Sequence, residues 1–278
     1  MVLKSYSKIN LSLKVISKTS KGLHEIQSLY CLINLFDKIK IKKKKGDKDK
    51  VIFKGPFTKL VKKKDNSIYD LLKALRKLKI ISSYYSIMVT KNIPVFGGLG
   101  GGTSNAAFVL MYLLKKKLNN NLLNKLENKI GSDLRLFFVK QGFLKNLQTI
   151  IELKKKLKLN FVLVQPKVKC STKEIYSKVK KYSKKEQFNF RKINSKNQLF
   201  RYLSKNRNDL QFIVEKKYPL FKKLLKDINN EKGCYFSRMT GSGSVCYGLF
   251  SDQIVAKKAL NKLKIKYPKF WFSLAKSV

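Results

Sequence analysis

The chain has 278 residues, 44% of them hydrophobic and 12% aromatic, which is enough for one large domain or two ordinary ones. This composition excludes disorder as the main state. No apolar run is long enough to span a membrane, and the N-terminus lacks the apolar segment of a signal peptide. The four cysteines have no CxxC spacing, which favours thiols in a reducing compartment. We therefore predict a soluble, cytoplasmic protein with no membrane partner.

The formal net charge is +47, from 63 basic and 16 acidic residues. Such a charge favours nucleic acid or another anionic surface as a partner. However, only six of the basic residues are arginine, whose bidentate fork suits bases and phosphates, and the lysines are spread along the whole chain. This pattern is typical of a compositional bias towards lysine on solvated faces, and we expect no nucleic-acid partner.

The first half of the chain alternates predicted strands and helices. Residues 9–15 (INLSLKV) alternate apolar and polar side chains, which predicts a half-buried strand. The other elements predicted here are a turn at 18–22, a strand at 23–33, a charged hairpin tip or mobile loop at 42–50, an amphipathic helix at 67–78 and a strand at 86–89.

The second half continues this alternation. Its predicted elements are a helix at 106–118, a helix at 122–130 ended by Gly131, a strand at 161–165, a helix at 171–179, a polar helical or irregular stretch at 180–208, a helix at 218–228, a strand at 245–250, a helix at 254–263 and a final strand. Interleaved strands and helices predict an α+β fold of two domains, which we place at 1–155 and 156–278.

Residues 93–105 (IPVFGGLGGGTSN) carry five glycines within six positions, directly before a predicted helix. Backbone N–H groups and the positive end of the helix dipole then converge where an anion can bind. The segment fits neither the GxxxxGK[ST] phosphate loop nor the dinucleotide fingerprint. It therefore predicts a phosphate-binding loop of another kind.

This glycine segment resembles the PxxxGLGGGSSN signature of the GHMP kinases. The resemblance implies that the following residues wrap the phosphates of ATP: Pro94, Val95, Phe96, Gly97, Gly98, Leu99, Gly100, Gly101, Gly102, Thr103 and Ser104. Further segments, in the order of the family, resemble the members that phosphorylate a cytidine-diphosphate-linked methylerythritol. They are 7–11 (SKINL), 22–29 (GLHEIQSL), 131–138 (GSDLRLFF), 166–176 and 239–244 (MTGSGS).

The resemblance also implies the catalytic groups. Asp133 would be the general base, and Lys8 would pair with it and offset charge on the phosphoryl group. ATP and Mg²⁺ are the implied cofactors. The metal ligands are left open between Ser104, Asp133 and water, and the oligomeric state is also left open.

The implied acceptor site would hold cytosine and the sugar alcohol. His24 would contact the base, and Tyr30 and Tyr176 would sandwich it. Asn10, Thr172 and Gly241 would complete the acceptor site. Two departures from the family pattern are Leu23, where a Tyr is usual, and Arg135, where a Pro is usual.

The implied architecture is a domain like ribosomal protein S5 domain 2 followed by a ferredoxin-like domain. The implied reaction is ATP-dependent phosphorylation of the 2-hydroxyl of the acceptor, on the non-mevalonate route to isoprenoid precursors. One alternative is another GHMP kinase, acting on mevalonate, homoserine or a sugar. A second is a basic RNA-binding protein on an S5-like fold, which would need no ordered glycine loop.

Overall fold

The computed structural model describes residues 2–20, 22–62, 65–114 and 118–278. The strands are β1 (Val2–Asn10), β2 (Lys14–Lys18), β3 (His24–Lys44), β4 (Lys50–Lys54), β5 (Tyr84–Thr90), β6 (Gln141–Asn146), β7 (Thr149–Glu152), β8 (Asn160–Gln165), β9 (Cys234–Met239), β10 (Cys246–Phe250) and β11 (Trp271–Lys276). The helices are α1 (Ser67–Lys77), α2 (Gly101–Leu114), α3 (Asn120–Ile130), α4 (Thr172–Ser177), α5 (Lys196–Lys205), α6 (Asp209–Lys217), α7 (Leu220–Asn229) and α8 (Gln253–Lys266). In the four ranges described, no helix has the length and apolar character needed to cross a membrane. The cytoplasmic location stays a prediction.

The chain folds into two compact units, each built from separate segments of the sequence. The first unit comprises Met1–Ser7, Leu35–Val95 and Gly100–Phe138, and the second comprises Lys8–Asn34, Phe96–Leu99 and Val139–Val278. Strand β3 contributes its first part to the second unit and its second part to the first. The division into 1–155 and 156–278 stays a prediction.

In the first unit, β5 lies between two strands of a mixed sheet. It pairs antiparallel with the second part of β3 and parallel with β4. Helix α1 begins after Asn66, whose side chain accepts the backbone N–H groups of Ile68 and Tyr69. Its apolar face is buried, and α1 packs against α2 and α3. The helix predicted over 67–78 is therefore confirmed.

The second unit contains a four-stranded antiparallel sheet in the order β11-β8-β10-β9. Along the chain, β8 is followed by helices, then by the β9–β10 pair, α8 and β11. This βαββαβ connection is the ferredoxin-like arrangement that the resemblance implied. Every residue of β10 is buried, since α7 and α8 pack on this sheet and the Tyr247 hydroxyl donates to the backbone oxygen of Asn10 at 3.2 Å.

Other predicted elements are confirmed with adjusted ends. Helix α3 ends at Gly131, whose φ of 138° suits a glycine cap. Helix α4 begins after Ser171, whose hydroxyl accepts the N–H of Glu174 at 3.4 Å. Helix α2 begins at Gly101, earlier than predicted, and its described part ends at Leu114. Residues 115–117 of the predicted helix lie outside the described residues.

The prediction of one half-buried strand over 9–15 is wrong. Strand β1 ends at Asn10, β2 begins at Lys14, and the polar side chains between the apolar ones are also buried. Lys8, Asn10 and Ser12 are only 4%, 2% and 1% exposed. Their polar atoms bond to other buried groups, so alternation in the sequence did not mean that one face meets water.

Of the two alternatives for 42–50, the hairpin tip is wrong and a loop is present, at 45–49. Strands β3 and β4 do not pair with each other, because β5 lies between them. Residues 45–49, of which 45–48 are exposed, therefore form a connection that crosses from one side of β5 to the other.

Candidate active site

Within the first unit, the second part of the glycine segment forms the start of α2. The first helical hydrogen bond runs from Ser104 N to Gly100 O at 2.8 Å, so the N–H groups of Gly101, Gly102 and Thr103 precede the helical ladder. No acidic side chain lies in the first turn of this helix. The positive end of the helix dipole and these N–H groups suit a phosphate.

Ser104 is fully buried at this helix start. Its hydroxyl donates to the backbone oxygen of Tyr6 at 2.5 Å and lies 2.7 Å from the Ser5 hydroxyl. These bonds anchor the first turn of α2 to β1 within the first unit. A contact between the Ser104 side chain and ATP stays a prediction.

A buried carboxylate in the first unit ties together the two ends of the glycine segment. Asp37 Oδ1 accepts the N–H groups of Asn92 at 2.7 Å and Ile93 at 2.9 Å. Asp37 Oδ2 accepts from the Lys91 ammonium and, at 2.9 Å, from Asn105 Nδ2. Sequence reasoning missed this cluster, although a single Asp within the apolar run of β3 is a signal that could have identified it.

Within the second unit, residues 96–99 lie against a second glycine loop at 240–244. Ser244 N donates to Phe96 O at 2.9 Å, and Val245 N donates to Gly97 O at 3.2 Å. Gly98 has a φ of 70°, and a Cβ there would overlap the backbone oxygen of Thr240. Only glycine therefore fits at Gly98, and the two glycine loops are one packed structure.

The two polar residues at the end of β1 lie beside this pair of loops. Lys8 Nζ donates to Asn10 Oδ1 at 2.5 Å, and Asn10 N donates to Thr240 Oγ1 at 3.0 Å. Asn10 Nδ2 donates to Ser28 Oγ at 2.7 Å. A Cβ on Gly241 would lie 3.5 Å from Asn10 Oδ1. The structure thus brings Lys8, Asn10 and Gly241 together.

Two further side chains hold the second glycine loop. Asn208 Nδ2 donates to the backbone oxygens of Met239 at 2.9 Å and Gly241 at 2.8 Å. The Thr172 hydroxyl lies 2.9 Å from the Ser242 hydroxyl, so the predicted acceptor residue Thr172 is at the loop. Asn208 was not predicted, because its partners lie more than 30 residues away in the sequence.

An aromatic cluster surrounds the single histidine. The His24 and Tyr176 rings are 5.0 Å apart between centroids with planes tilted by 35°, and Tyr182 lies 6.5 Å from His24. Burial, with a smaller contribution from the Lys18 charge, lowers the pKa of His24 below its ordinary value, so its imidazole is neutral at neutral pH.

The two tyrosines that were predicted to sandwich the base differ in exposure. Tyr176 is half-buried, whereas Tyr30 is fully buried and presents no face to a ligand in this conformation. Tyr182 is 47% exposed and is the more accessible second ring near His24. Sequence reasoning missed it, since it lies in an irregular lysine-rich stretch.

Asp133 lies in the first unit, in the turn that follows α3. Its backbone oxygen accepts the N–H of Leu136 at 3.1 Å, and its side chain is half-buried. A Cβ on Gly131 would lie 3.4 Å from Thr103 Oγ1, so this turn packs on the glycine segment at the start of α2. The role of Asp133 as general base stays a prediction.

Arg135, which replaces the usual Pro, has a structural role. Its guanidinium donates to both carboxylate oxygens of Glu127, at 2.8 and 2.9 Å, and to Asn124 at 2.8 Å. This bidentate pair fastens the turn after Asp133 to α3.

Comparison with known proteins agrees with this fold. Residues 66–137 match the GHMP kinases N terminal domain, and residues 189–269 match the GHMP kinases C terminal family. A crystal structure of 4-(cytidine 5'-diphospho)-2C-methyl-D-erythritol kinase superposes over 100% of both chains with a TM-score of 0.74 and 21% identity. Homoserine kinase from Cytophaga hutchinsonii covers 99% of this chain and 95% of its own, with a TM-score of 0.67 and 15% identity. The fold is that of a GHMP kinase, an ATP-dependent small-molecule kinase.

Curated relatives narrow the class further. The chain is 38% identical to 4-diphosphocytidyl-2-C-methyl-D-erythritol kinase of Pelagibacter ubique, over 99% of this chain and 98% of the relative. It is 32% identical to the kinase of the same name from Caldanaerobacter subterraneus, over 96% of this chain and 93% of the relative. The chain belongs to the 4-diphosphocytidyl-2-C-methyl-D-erythritol kinase family.

Proposed function

We propose that this chain transfers the γ-phosphoryl group of ATP to the 2-hydroxyl of 4-diphosphocytidyl-2-C-methyl-D-erythritol, on the non-mevalonate route to isoprenoid precursors. The observation that carries the choice of acceptor is the ring pair of His24 and Tyr176. A neutral imidazole beside a half-buried tyrosine offers a polar edge and a stacking face to a cytosine. Mevalonate and homoserine have no base to occupy such a site.

In this proposal the glycine segment binds the phosphates of ATP through the backbone N–H groups at the start of α2. Asp133 takes the proton of the acceptor hydroxyl. The hydroxyl oxygen of the acceptor forms a bond to the γ-phosphorus, and the bond between the γ-phosphorus and the β,γ-bridging oxygen breaks. Lys8 offsets negative charge on the transferring group. Lys8 is only 4% exposed, so its charge acts with little screening by water.

We propose Mg²⁺ as the divalent cation that accompanies ATP, where it would neutralise phosphate charge. Nowhere in the described ranges do three or more His, Cys, Asp or Glu residues form a group that could hold a metal. This fits Mg²⁺, which in phosphotransferases is held by one or two carboxylates together with substrate phosphates and water. Asp133 is the carboxylate of this chain that could contribute. The Ser104 hydroxyl already bonds to Tyr6 O.

The test is a phosphotransfer assay with ATP and four acceptors: the cytidine-diphosphate-linked methylerythritol, free methylerythritol, mevalonate and homoserine. We expect turnover with the first acceptor alone, and a product that carries phosphate on the 2-hydroxyl by ³¹P NMR. Asp133→Asn should lower kcat at least about a hundredfold with ATP affinity nearly unchanged. Turnover of a free acceptor at an equal rate would refute the base-reading role of His24 and Tyr176, and normal turnover by the variant would remove Asp133 from the mechanism.

A further inference from the structure

A cavity of about 470 Å³ lies within the second unit, between α5, α6, α7 and β9. None of the residues to which the kinase reaction was assigned above lines it. Its volume is within the range of small-molecule sites, about 300–1,000 Å³. The kinase function therefore leaves this cavity unexplained.

The cavity is strongly positive. Arg207, Lys226 and Arg238 line it, and no Asp or Glu does. Arg238 is only 5% exposed, and its guanidinium donates to the backbone oxygens of Leu11 and Asn206, both at 2.7 Å. No carboxylate in the described part of the chain pairs with Arg207 or Arg238. The positive charge of these three side chains would favour an anion in the cavity.

One wall of the same cavity is aromatic. The rings of Phe200 and Tyr235 lie 4.3 Å apart between centroids, and Tyr235 is 50% exposed. Phe236 lies under the Arg238 guanidinium, whose carbon is 4.4 Å from the ring centroid. The cavity thus offers a planar face for stacking next to its cations.

The cavity also adjoins the second glycine loop. Gln211 lines the cavity, and its Oε1 accepts the N–H of Met239 at 3.1 Å, directly before Thr240. Its Nε2 donates to Glu215 at 2.8 Å, which fixes the orientation of the amide. A ligand in the cavity would therefore contact residues that hold the end of β9 where the loop begins.

We propose that this cavity binds a small phosphorylated compound that carries an aromatic ring, with the phosphate at Arg207 and Lys226 and the ring against Tyr235. The cations supply charge-assisted hydrogen bonds to the phosphate oxygens, and the tyrosine supplies the stacking face. A ligand with both groups binds more tightly than one with either group alone, since the cavity presents both surfaces side by side.

The test uses phenyl phosphate as the probe and isothermal titration calorimetry on the full chain. Arg207→Ala and Lys226→Ala should each weaken binding at least about tenfold, the scale of a lost charge-assisted hydrogen bond. Arg201→Ala and Lys222→Ala remove exposed cations of α5 and α7 that do not line the cavity, and they should change affinity by less than about twofold. Inorganic phosphate and phenol should each bind at least about tenfold more weakly than phenyl phosphate.

Three results would overturn the proposal: no binding of phenyl phosphate at millimolar concentration, equal losses in the cavity and control variants, or equal affinity for inorganic phosphate. Arg207 and Lys226 are exposed, so their variants should fold, which unchanged melting temperatures and unchanged ATP binding would verify. Because neither residue was assigned to the kinase reaction, a loss of probe binding with intact turnover would place the probe in this cavity and not in the active site.

Discussion

At the scale of single residues, buried polar side chains organise the phosphate-binding segment. Asp37 is fully buried and accepts bonds from both ends of the glycine segment, so it holds residues 92–93 close to Asn105 within the first unit. The Lys91 ammonium balances its charge in a site that is nearly free of water. Such a pair contributes little net stability when intact but is costly to break.

We therefore predict that Asp37→Asn lowers the free energy of unfolding by about 3–5 kcal/mol, because Lys91 would be left as a buried cation without its partner. Denaturant unfolding measures this loss. The matched control is Asp65→Asn, which breaks an ion pair between Lys62 and Asp65. Their side chains are 77% and 74% exposed, respectively, so this substitution should cost less than about 1 kcal/mol. Equal losses in the two variants would show that the Asp37 cluster does not support the loop.

A second residue-scale prediction concerns the base site. Tyr176→Ala should raise KM for the cytidine-linked acceptor about ten- to a hundredfold, since a stacked base is worth about 1–3 kcal/mol. KM for ATP should be nearly unchanged, and Tyr176→Phe should be mild because stacking needs only the ring. Tyr182→Ala should also raise KM for the acceptor, as its exposed ring lies near His24. A fall in melting temperature without a selective change in KM would make Tyr176 a packing residue instead.

At the scale of elements, the two glycine loops of the second unit act as one structure. Residues 96–99 and 240–244 exchange backbone hydrogen bonds, and Gly98 approaches the Thr240 carbonyl too closely for any side chain. Asn10 and Asn208 bond to the second loop from β1 and from the start of α6. The loops therefore keep their shape through neighbouring elements, although glycine itself is flexible.

We predict that Gly98→Ala lowers the free energy of unfolding by about 3 kcal/mol or more. This loss exceeds the cost of backbone strain alone, because the added Cβ would also overlap the Thr240 carbonyl. Gly46→Ala is the control, because Gly46 also has a positive φ, 111°, but a Cβ there meets nothing within 4 Å. The control should lose only the strain of a left-handed residue, about 1–2 kcal/mol. Chemical denaturation would compare the variants, and equal losses would mean that the Gly98 contact is not needed.

At the scale of the whole molecule, the net charge of +47 affects the stability of the folded state. The described acidic residues are largely engaged in pairs, such as Asp227 with Lys266 and Glu186 with Lys14, so most lysines repel one another without local compensation. Net charge far from zero keeps a protein soluble and destabilises its compact state. The absence of a nucleic-acid partner stays a prediction.

Salt should therefore stabilise this protein. Raising NaCl from about 0.05 to about 0.5 M shortens the screening length and weakens repulsion between lysines. We expect the melting temperature to rise by about 2–4 °C for each kcal/mol of repulsion removed. Calorimetry at the two salt concentrations measures the shift, with an uncharged osmolyte of equal osmolality as the control. A melting temperature that falls with NaCl would show that attractive ion pairs outweigh the repulsion.

The amino-acid sequence by itself determined those features whose partners are close along the chain. The helix ends at Asn66, Ser171 and Gly131 depend on atoms within three or four residues, so composition and spacing predicted these helices correctly. The position of the glycine segment before a helix was also predicted from the sequence, because the segment and the helix that supplies the N–H groups are adjacent in the chain. The order of the motifs was enough to predict the family.

Only the tertiary structure decided which polar residues are buried and which aromatic rings are accessible. Asn10 bonds to Ser28 and Thr240, which are 18 and 230 residues away, so alternation in 9–15 was misread as a strand with one wet face. The exposure of the aromatic rings was also not readable from the sequence: Tyr30 is buried in the core, and Tyr182 lies near His24. The physical reason is that burial depends on what packs from distant segments, whereas a cap or a turn is satisfied by its neighbours.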